Sequence, residues 1–308
     1  MPQNQTEPGL EAEAVASAFA ARAAEGLQTI AAPGFDLAST LLSGQAFHWQ
    51  KVAGGYAGLI GKTPVFLREQ GPGMIGLTPG TKETARHYLA LDHDMEAIVA
   101  SFPADDAVLA QAVAFAPGLR LLRQPAWECL ATFITSSMKQ VAHIAHISHT
   151  LRRRFGEPVA FHGAVLHAYP EPEALARAGE AALRACGLGY RAPFLEQTAR
   201  LVAEGKLDLS LLADPGISDE EALALLLQAP GVGPKIANCV LLFAGQRLGF
   251  FPIDVWIERV LRAAYFPRRK KLPAGFLPRF VRQHFGPYGG YAQQFLFHHA
   301  RLGGKGGA

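Results

Sequence analysis

The chain has 308 residues, 49% of them hydrophobic, and a formal net charge of +3 at pH 7. That length supports a substantial core, as one large domain or two to three subdomains, and so mild a charge does not by itself name nucleic acid as a partner. No apolar run reaches the roughly 18 residues of a membrane span, and the opening residues MPQNQTEPGLEAEAVAS lack the pattern of a signal peptide. Cys129, Cys186 and Cys239 are few and scattered, which argues against a disulfide framework and points to a reducing, cytoplasmic location. No His/Cys spacing implies a metal cofactor.

Residues 1–28 are rich in Ala and Glu and predict a peripheral helix from Leu10 to Ala24. From about Thr29 the texture changes to short apolar runs, Phe35–Leu42, Phe47–Val52, Tyr56–Ile60, Pro64–Glu69 and Met74–Leu77. Gly54-Gly55, Gly61-Lys62 and Gly71-Pro72-Gly73 punctuate them, predicting an antiparallel meander of four to five strands. Helical texture follows at Glu83–Ala100 and Asp105–Ala114, and from Trp127 almost everything reads as helix between Gly/Pro turns. The expected class is α+β: a peripheral segment 1–28, a small antiparallel-sheet subdomain with trailing helices over 29–120, and a mostly helical domain over 121–308.

The most informative stretch is residues 223–262, LALLLQAPGVGPKIANCVLLFAGQRLGFFPIDVWIERVLR. An apolar helix breaks at Pro230-Gly231-Val232-Gly233, and a second helix starts at Pro234, a residue suited to a first turn because it lacks the amide that would go unpaired there. Gly231 and Gly233 permit a tight turn that leaves amides around Gly231, Val232 and Gly233 open to a DNA phosphate. Lys235 and Cys239 lie one turn apart on one face of the second helix. The positive end of the helix dipole, with partial burial, favours the neutral amine of Lys235 that nucleophilic attack requires. Asp254 follows nineteen residues after Lys235, just ahead of a third helix. A phosphate contact for Lys235 and a helix cap for Asp254 are the plainer roles their positions also allow.

These residues resemble the helix-hairpin-helix DNA glycosylases whose hairpin is followed by a Gly/Pro-rich loop and an Asp. Lys235 places the resemblance in the bifunctional branch, and Cys239 in the 8-oxoguanine DNA glycosylase/AP lyase family, as a divergent member. It covers roughly residues 35–302, with the helix-hairpin-helix at 223–244. The C-terminal cysteine quartet that holds an iron–sulfur cluster in some relatives is missing. The family implies attack of Lys235 on C1′ with Asp254 supporting the charge on the sugar, and lysine Schiff-base formation with abasic-site lyase activity.

Other segments extend the resemblance. Leu42-Ser43-Gly44-Gln45-Ala46-Phe47-His48-Trp49 matches the segment that reads the damaged base. There the Gly44 carbonyl would accept the hydrogen that 8-oxoguanine carries on N7 and guanine lacks. In the final helix Gln293 would read the Watson–Crick edge, and Phe297 would face Cys239 across the flipped base. Leu188-Gly189-Tyr190-Arg191 matches a turn that puts Tyr190 beside the gap in the duplex and Arg191 on the opposite base. Where the family has an Asn triplet, this chain has Met138-Lys139-Gln140; Met138 would fill the gap as an apolar wedge and Lys139 would contact the lesion strand or sit near Lys235. His143, Trp256 and Ala300 replace the family's Arg, His and Asp together. The resemblance also implies a monovalent cation on the carbonyls of Leu227, Ala229 and Val232, no organic cofactor, and a monomer acting on double-stranded DNA containing a damaged base. Two rival expectations are a helix-hairpin-helix glycosylase for an alkylated or deaminated base, and a non-catalytic DNA-binding protein using the hairpin alone.

Overall fold

The structure, a computed structural model, describes residues 19–136 and 140–303. A short helix α1 (19–23) leads into β1 (Gln28–Ala31), which pairs not with the next strand but with β5 (Met74–Leu77). Between them come α2 (Leu37–Leu41), β2 (Gln50–Val52), β3 (Gly55–Ile60) and β4 (Thr63–Glu69). The sheet has five antiparallel strands in the order β1-β5-β4-β3-β2. The expected run Phe35–Leu42 is therefore helix rather than strand. The Asp36 side chain accepts the Ser39 amide and caps α2, a local bond that outweighs the β texture of the run.

Both faces of the sheet are covered. Along β4, Val65 and Leu67 join Ile30, Leu37, Trp49 and Tyr88 on one side, while Phe66 packs with Phe19, Ala23 and Phe161 on the other. This alternation follows from the two-residue period of a strand. Phe161 comes from far along the chain, in a two-stranded hairpin of β6 (Pro158–Phe161) and β7 (Ala164–His167). Its turn has positive φ at both His162 (48°) and Gly163 (81°), the pattern that matches the twist of paired strands.

Helices α3 (Lys82–Tyr88), α4 (Met95–Ala100) and α5 (Ala107–Phe115) lead from the sheet to the helical part. The helical texture that begins at Trp127 resolves, up to Gly156, into two helices, α6 (Ala126–Ser136) and α7 (Val141–Phe155). Gln140 is extended (φ −75°, ψ 151°) and starts α7 as its N-terminal flank. Then follow α8 (Pro172–Leu183), α9 (Ala192–Ala203), α10 (Asp219–Leu227), α11 (Pro234–Phe243), α12 (Val255–Tyr265), α13 (Phe276–Phe285) and α14 (Gly289–Leu302). Their shared core also takes in Phe47 from the segment before β2, edge-on to Phe133, which stacks on Phe243. No helix among the described residues is long and apolar enough to cross a membrane.

Residues 42–49 are pinned where sheet and helices meet. Gln45 Nε2 donates to the carbonyls of Thr40 (3.0 Å) and Arg120 (2.8 Å), its Oε1 accepts the Leu122 amide (2.8 Å), and its own carbonyl accepts from Gln124 Nε2 (2.7 Å). Buried Glu128 on α6 accepts from His48 Nδ1 (3.2 Å) and from Arg152 on α7. The bonds of Gln45 and the shared carboxylate of Glu128 tie the segment to the helices in one arrangement.

Candidate active site

The hairpin forms as expected. Ser218 and Glu221 make a reciprocal capping box that starts α10. The chain then turns through Ala229-Pro230-Gly231-Val232, where the Val232 amide donates to the Ala229 carbonyl (3.1 Å) and Gly231 has φ 76°. Proline followed by a positive-φ glycine is the type II turn signature. Gly233 flanks α11 and Pro234 occupies its first turn. The carbonyls of Leu227 and Val232 accept no hydrogen bond from the described residues, whereas that of Ala229 closes the turn. This all-oxygen donor set fits a hard monovalent cation. Among the described residues no group of three His, Cys, Asp or Glu side chains could hold a metal ion.

From the start of α11, Lys235 reaches toward α6, its Nζ donating to Ser136 Oγ (3.3 Å) and lying 5.3 Å from the Phe133 ring centre. It opens into a cavity of about 640 Å³ between the 42–49 segment, α6, α7, α11, the start of α12 and α14. The same cavity is lined by Gly44, Cys239, Asp254, Gln293 and Phe297. The two expected catalytic residues and all four expected base-reading residues thus share one space, from segments spread over 250 residues of chain.

Each is held by its surroundings. Asp254 Oδ1 accepts the Ile257 amide (2.8 Å), so Asp254 does cap α12 while its carboxylate borders the cavity. Cys239 is buried, and burial, assisted by Asp254 against the opposing pull of Lys235, pushes its thiol up to about 11. It is an apolar wall rather than a nucleophile. Gln293 is 5% exposed and its Oε1 has no partner among the described residues, an acceptor held at the cavity wall. Gly44 has φ 89°, and a side chain there would press on Arg301, Phe297 and Val141. The carbonyls of Leu42, Ser43 and Gln45 accept from Arg301, Gln294 and Gln124, while that of Gly44 receives no donor from the described residues.

The other expected residues lie elsewhere. Tyr190 is 53% exposed, and Arg191 is buried with its guanidinium 4.1 Å from the Tyr190 ring centre. Both stand in a short helical turn ahead of α9 and outside the cavity. Met138 and Lys139 lie outside the described residues. Of the three positions that depart together, Trp256 lines the cavity with its ring half exposed, whereas His143 and Ala300 do not line it. Sequence reading missed Ser136, the partner of Lys235, and Arg301, which the four-residue spacing from Phe297 would have placed on the same face of α14.

Comparison with known proteins agrees with this geometry. Residues 29–130 match the 8-oxoguanine DNA glycosylase N-terminal domain, and 131–276 match the HhH-GPD superfamily of base excision DNA repair proteins. A probable N-glycosylase/DNA lyase of Methanothermobacter thermautotrophicus is 30% identical over 301 residues, covering 88% of this chain and 95% of that protein. Among solved structures, MBOgg1 in complex with a low-affinity DNA ligand superimposes with a TM-score of 0.83 at 30% identity, covering 91% of this chain and 99% of the other. The 8-oxoguanine glycosylase/lyase of Clostridium acetobutylicum, bound to double-stranded DNA with cytosine opposite 8-oxoguanine, gives 0.82 at 26% identity with the same coverage. With both of its halves matched and a relative of this identity covered almost end to end, the chain belongs to the 8-oxoguanine DNA glycosylase family, the N-glycosylase/DNA lyases of the HhH-GPD superfamily.

Proposed function

We propose that this protein excises 8-oxoguanine from duplex DNA and then cleaves the abasic strand, with Lys235 as the nucleophile. The observation that carries this reading is one cavity in which a lysine amine, a carboxylate, and a carbonyl and an amide oxygen without a partner among the described residues converge. A base rotated out of the duplex would enter it between Cys239 and Phe297, stacking that offsets the lost base-pair stacking. The Gly44 carbonyl would accept the N7 hydrogen that distinguishes the lesion from guanine. Gln293 Oε1 would accept from the N–H groups of the Watson–Crick edge.

In the reaction, the neutral amine of Lys235 bonds to C1′ as the C1′–N9 bond breaks, and its electron pair leaves with the base. Asp254, oriented by its cap bond, stabilises the positive charge that builds on the sugar. A proton then passes from the amine to O4′ as the C1′–O4′ bond breaks and the sugar ring opens, giving an iminium and a free C4′ hydroxyl. A proton leaves C2′ and the 3′ phosphate departs with the C3′–O electron pair. Amides of Gly231 and Gly233 would hold the backbone, whereas that of Val232, expected beside them, closes the turn onto the Ala229 carbonyl; a cation on the Leu227, Ala229 and Val232 carbonyls would neutralise a phosphate. Tyr190 would fill the space beside the extruded nucleotide, with Arg191 on the opposite base and Met138 and Lys139 on the same gap. The three unpaired buried cysteines suit a reducing compartment, and the enzyme works in the cytoplasm as a monomer.

Borohydride trapping tests this reading, on duplexes carrying 8-oxoguanine opposite each of the four bases, an abasic site, or undamaged guanine. A covalent adduct on 8-oxoguanine that disappears in Lys235→Gln is the expected result. Trapping on the abasic duplex alone would overturn the lesion assignment, and no adduct on any duplex would overturn the lysine mechanism.

A further inference from the structure

Arg301 belongs to the base cavity, although nothing in the scheme above uses it. It stands one helical turn beyond Phe297 on α14 and lines the cavity. Its guanidinium lies 5.7 Å from the Phe297 ring centre, and one terminal nitrogen donates to the Leu42 carbonyl at 2.5 Å. The other, Nη1, is 3.1 Å from where a Gly44 side chain would begin. The group is clamped from two sides, facing the segment expected to read the lesion. A guanidinium carries five N–H donors in a fixed plane, and the bond to Leu42 uses one of them. Its Nε is buried without a partner among the described residues. Burial lowers the pKa of Arg301, but a guanidinium remains charged at any working pH. The cavity wall thus sets a fixed cation with spare donors against Gly44, whose carbonyl receives no donor from the described residues.

That pairing complements one edge of 8-oxoguanine. N7–H is a donor flanked by two carbonyl acceptors, O6 and O8. If Gly44 takes the N7 hydrogen, a donor beside it meets one of the flanking oxygens. When the C1′–N9 bond breaks, the electron pair left on the base spreads onto these same oxygens. A preorganised cation there stabilises charge that develops only as the bond breaks. We propose that Arg301 recognises 8-oxoguanine by donating to a carbonyl oxygen next to N7 and speeds base departure by stabilising the negative charge on the leaving base. This rests on the reading of 8-oxoguanine as substrate. No proton is transferred, and Arg301 has no part in the elimination that follows.

The test compares single-turnover base excision with strand cleavage at a ready-made abasic site, in the wild type, Arg301→Leu and Arg301→Lys. Substrates carry 8-oxoguanine, 2-amino-8-oxopurine (which lacks O6) or 8-thioguanine (a poor acceptor at C8). In Arg301→Leu, excision of 8-oxoguanine is expected to fall on the order of 100-fold further than abasic cleavage does. Arg301→Lys recovers part of that loss, because it keeps the charge. The penalty shrinks on 2-amino-8-oxopurine if O6 is the partner, and on 8-thioguanine if it is O8. An equal fall in excision and abasic cleavage would overturn the proposal, as would one penalty common to all three bases. A wild-type enzyme that cleaves abasic DNA but leaves 8-oxoguanine in place would instead overturn the substrate reading beneath it.

Discussion

Replacing Glu128 by Gln removes one negative charge from the interior and changes little else in size. Glu128 is 8% exposed and Arg152 3%. The two are ion-paired, His48 shares the same carboxylate oxygen, and Arg152 also donates to the His167 carbonyl (3.2 Å) and lies over the Tyr169 ring. The substitution leaves the Arg152 guanidinium buried without an anion, which costs about 3–5 kcal/mol in comparable cases. The amide oxygen of Gln still accepts one hydrogen bond, so the lower end, about 3 kcal/mol, is expected. At roughly 2–4 °C per kcal/mol for a chain near this size, the Tm should fall by about 6–12 °C at pH 7, read by calorimetry or circular dichroism.

Acid should act in the same direction on the wild type. Burial raises the pKa of Glu128, but the charges and hydrogen bonds of Arg152 and His48 prevail and leave it lowered. Its stabilisation is therefore complete above the unfolded carboxylate pKa of about 4.3 and is lost as pH falls toward the folded value. Burial and Arg152 lower the pKa of His48 despite Glu128. It folds as the neutral ring, and stability declines as pH drops below the unfolded histidine value of about 6.5. The wild-type Tm should thus sag below about pH 6.5 and steepen below about pH 5, with the second phase weaker in Glu128→Gln, where Asp92 and Asp106 still carry lowered carboxylates. A loss under about 2 °C at pH 7 would refute this assignment of energy to the buried pair. Equal acid sensitivity in both proteins would do the same.

Two further outcomes follow from the cavity walls. Gly44→Ala must hold φ near 89° and bring a methyl group within 3.1–3.4 Å of Arg301, Phe297 and Val141. Backbone strain of about 1–3 kcal/mol is expected, with 8-oxoguanine excision slowed more than abasic cleavage; an unchanged excision rate would argue against Gly44 as the reading position. The Cys239 thiol, raised to about 11 by burial, should resist iodoacetamide at pH 8 in the folded protein and react once unfolded, as followed by mass spectrometry. Rapid labelling of the native enzyme would contradict its place as a buried wall.

The hairpin and the meeting of Lys235, Asp254 and positions 44, 239, 293 and 297 in one cavity were legible because each sits in a local pattern with a steric or helical cause. Pro230-Gly231 dictates its turn, and a four-residue spacing dictates a shared face. Residues 35–42 misled because a short apolar run suits strand or helix equally, and the Asp36 cap decided it. The β6–β7 hairpin went unseen, since Pro158–His167 carries only a His-Gly turn between two brief runs. The break after Ser136 was also hidden, because residues on both sides of it read as helix. The four-residue spacing from Phe297 gives the face of α14 that carries Arg301, but its partners Leu42 and Gly44 lie more than 250 positions away, and no local spacing encodes that meeting.

That distance has a consequence for the half-made or partly opened enzyme. The hairpin and Lys235 are complete by the end of α11, yet the selective wall waits for α14 to return to residues 42–44. Contacts of such long range close late, after the loops between them have paid their entropy. A nascent chain, or one whose α14 has come loose, would still grip a DNA backbone and present its amine. On the proposed reading of Gly44, Gln293 and Phe297, telling a damaged base from a sound one then depends on α14 being seated against residues 42–44.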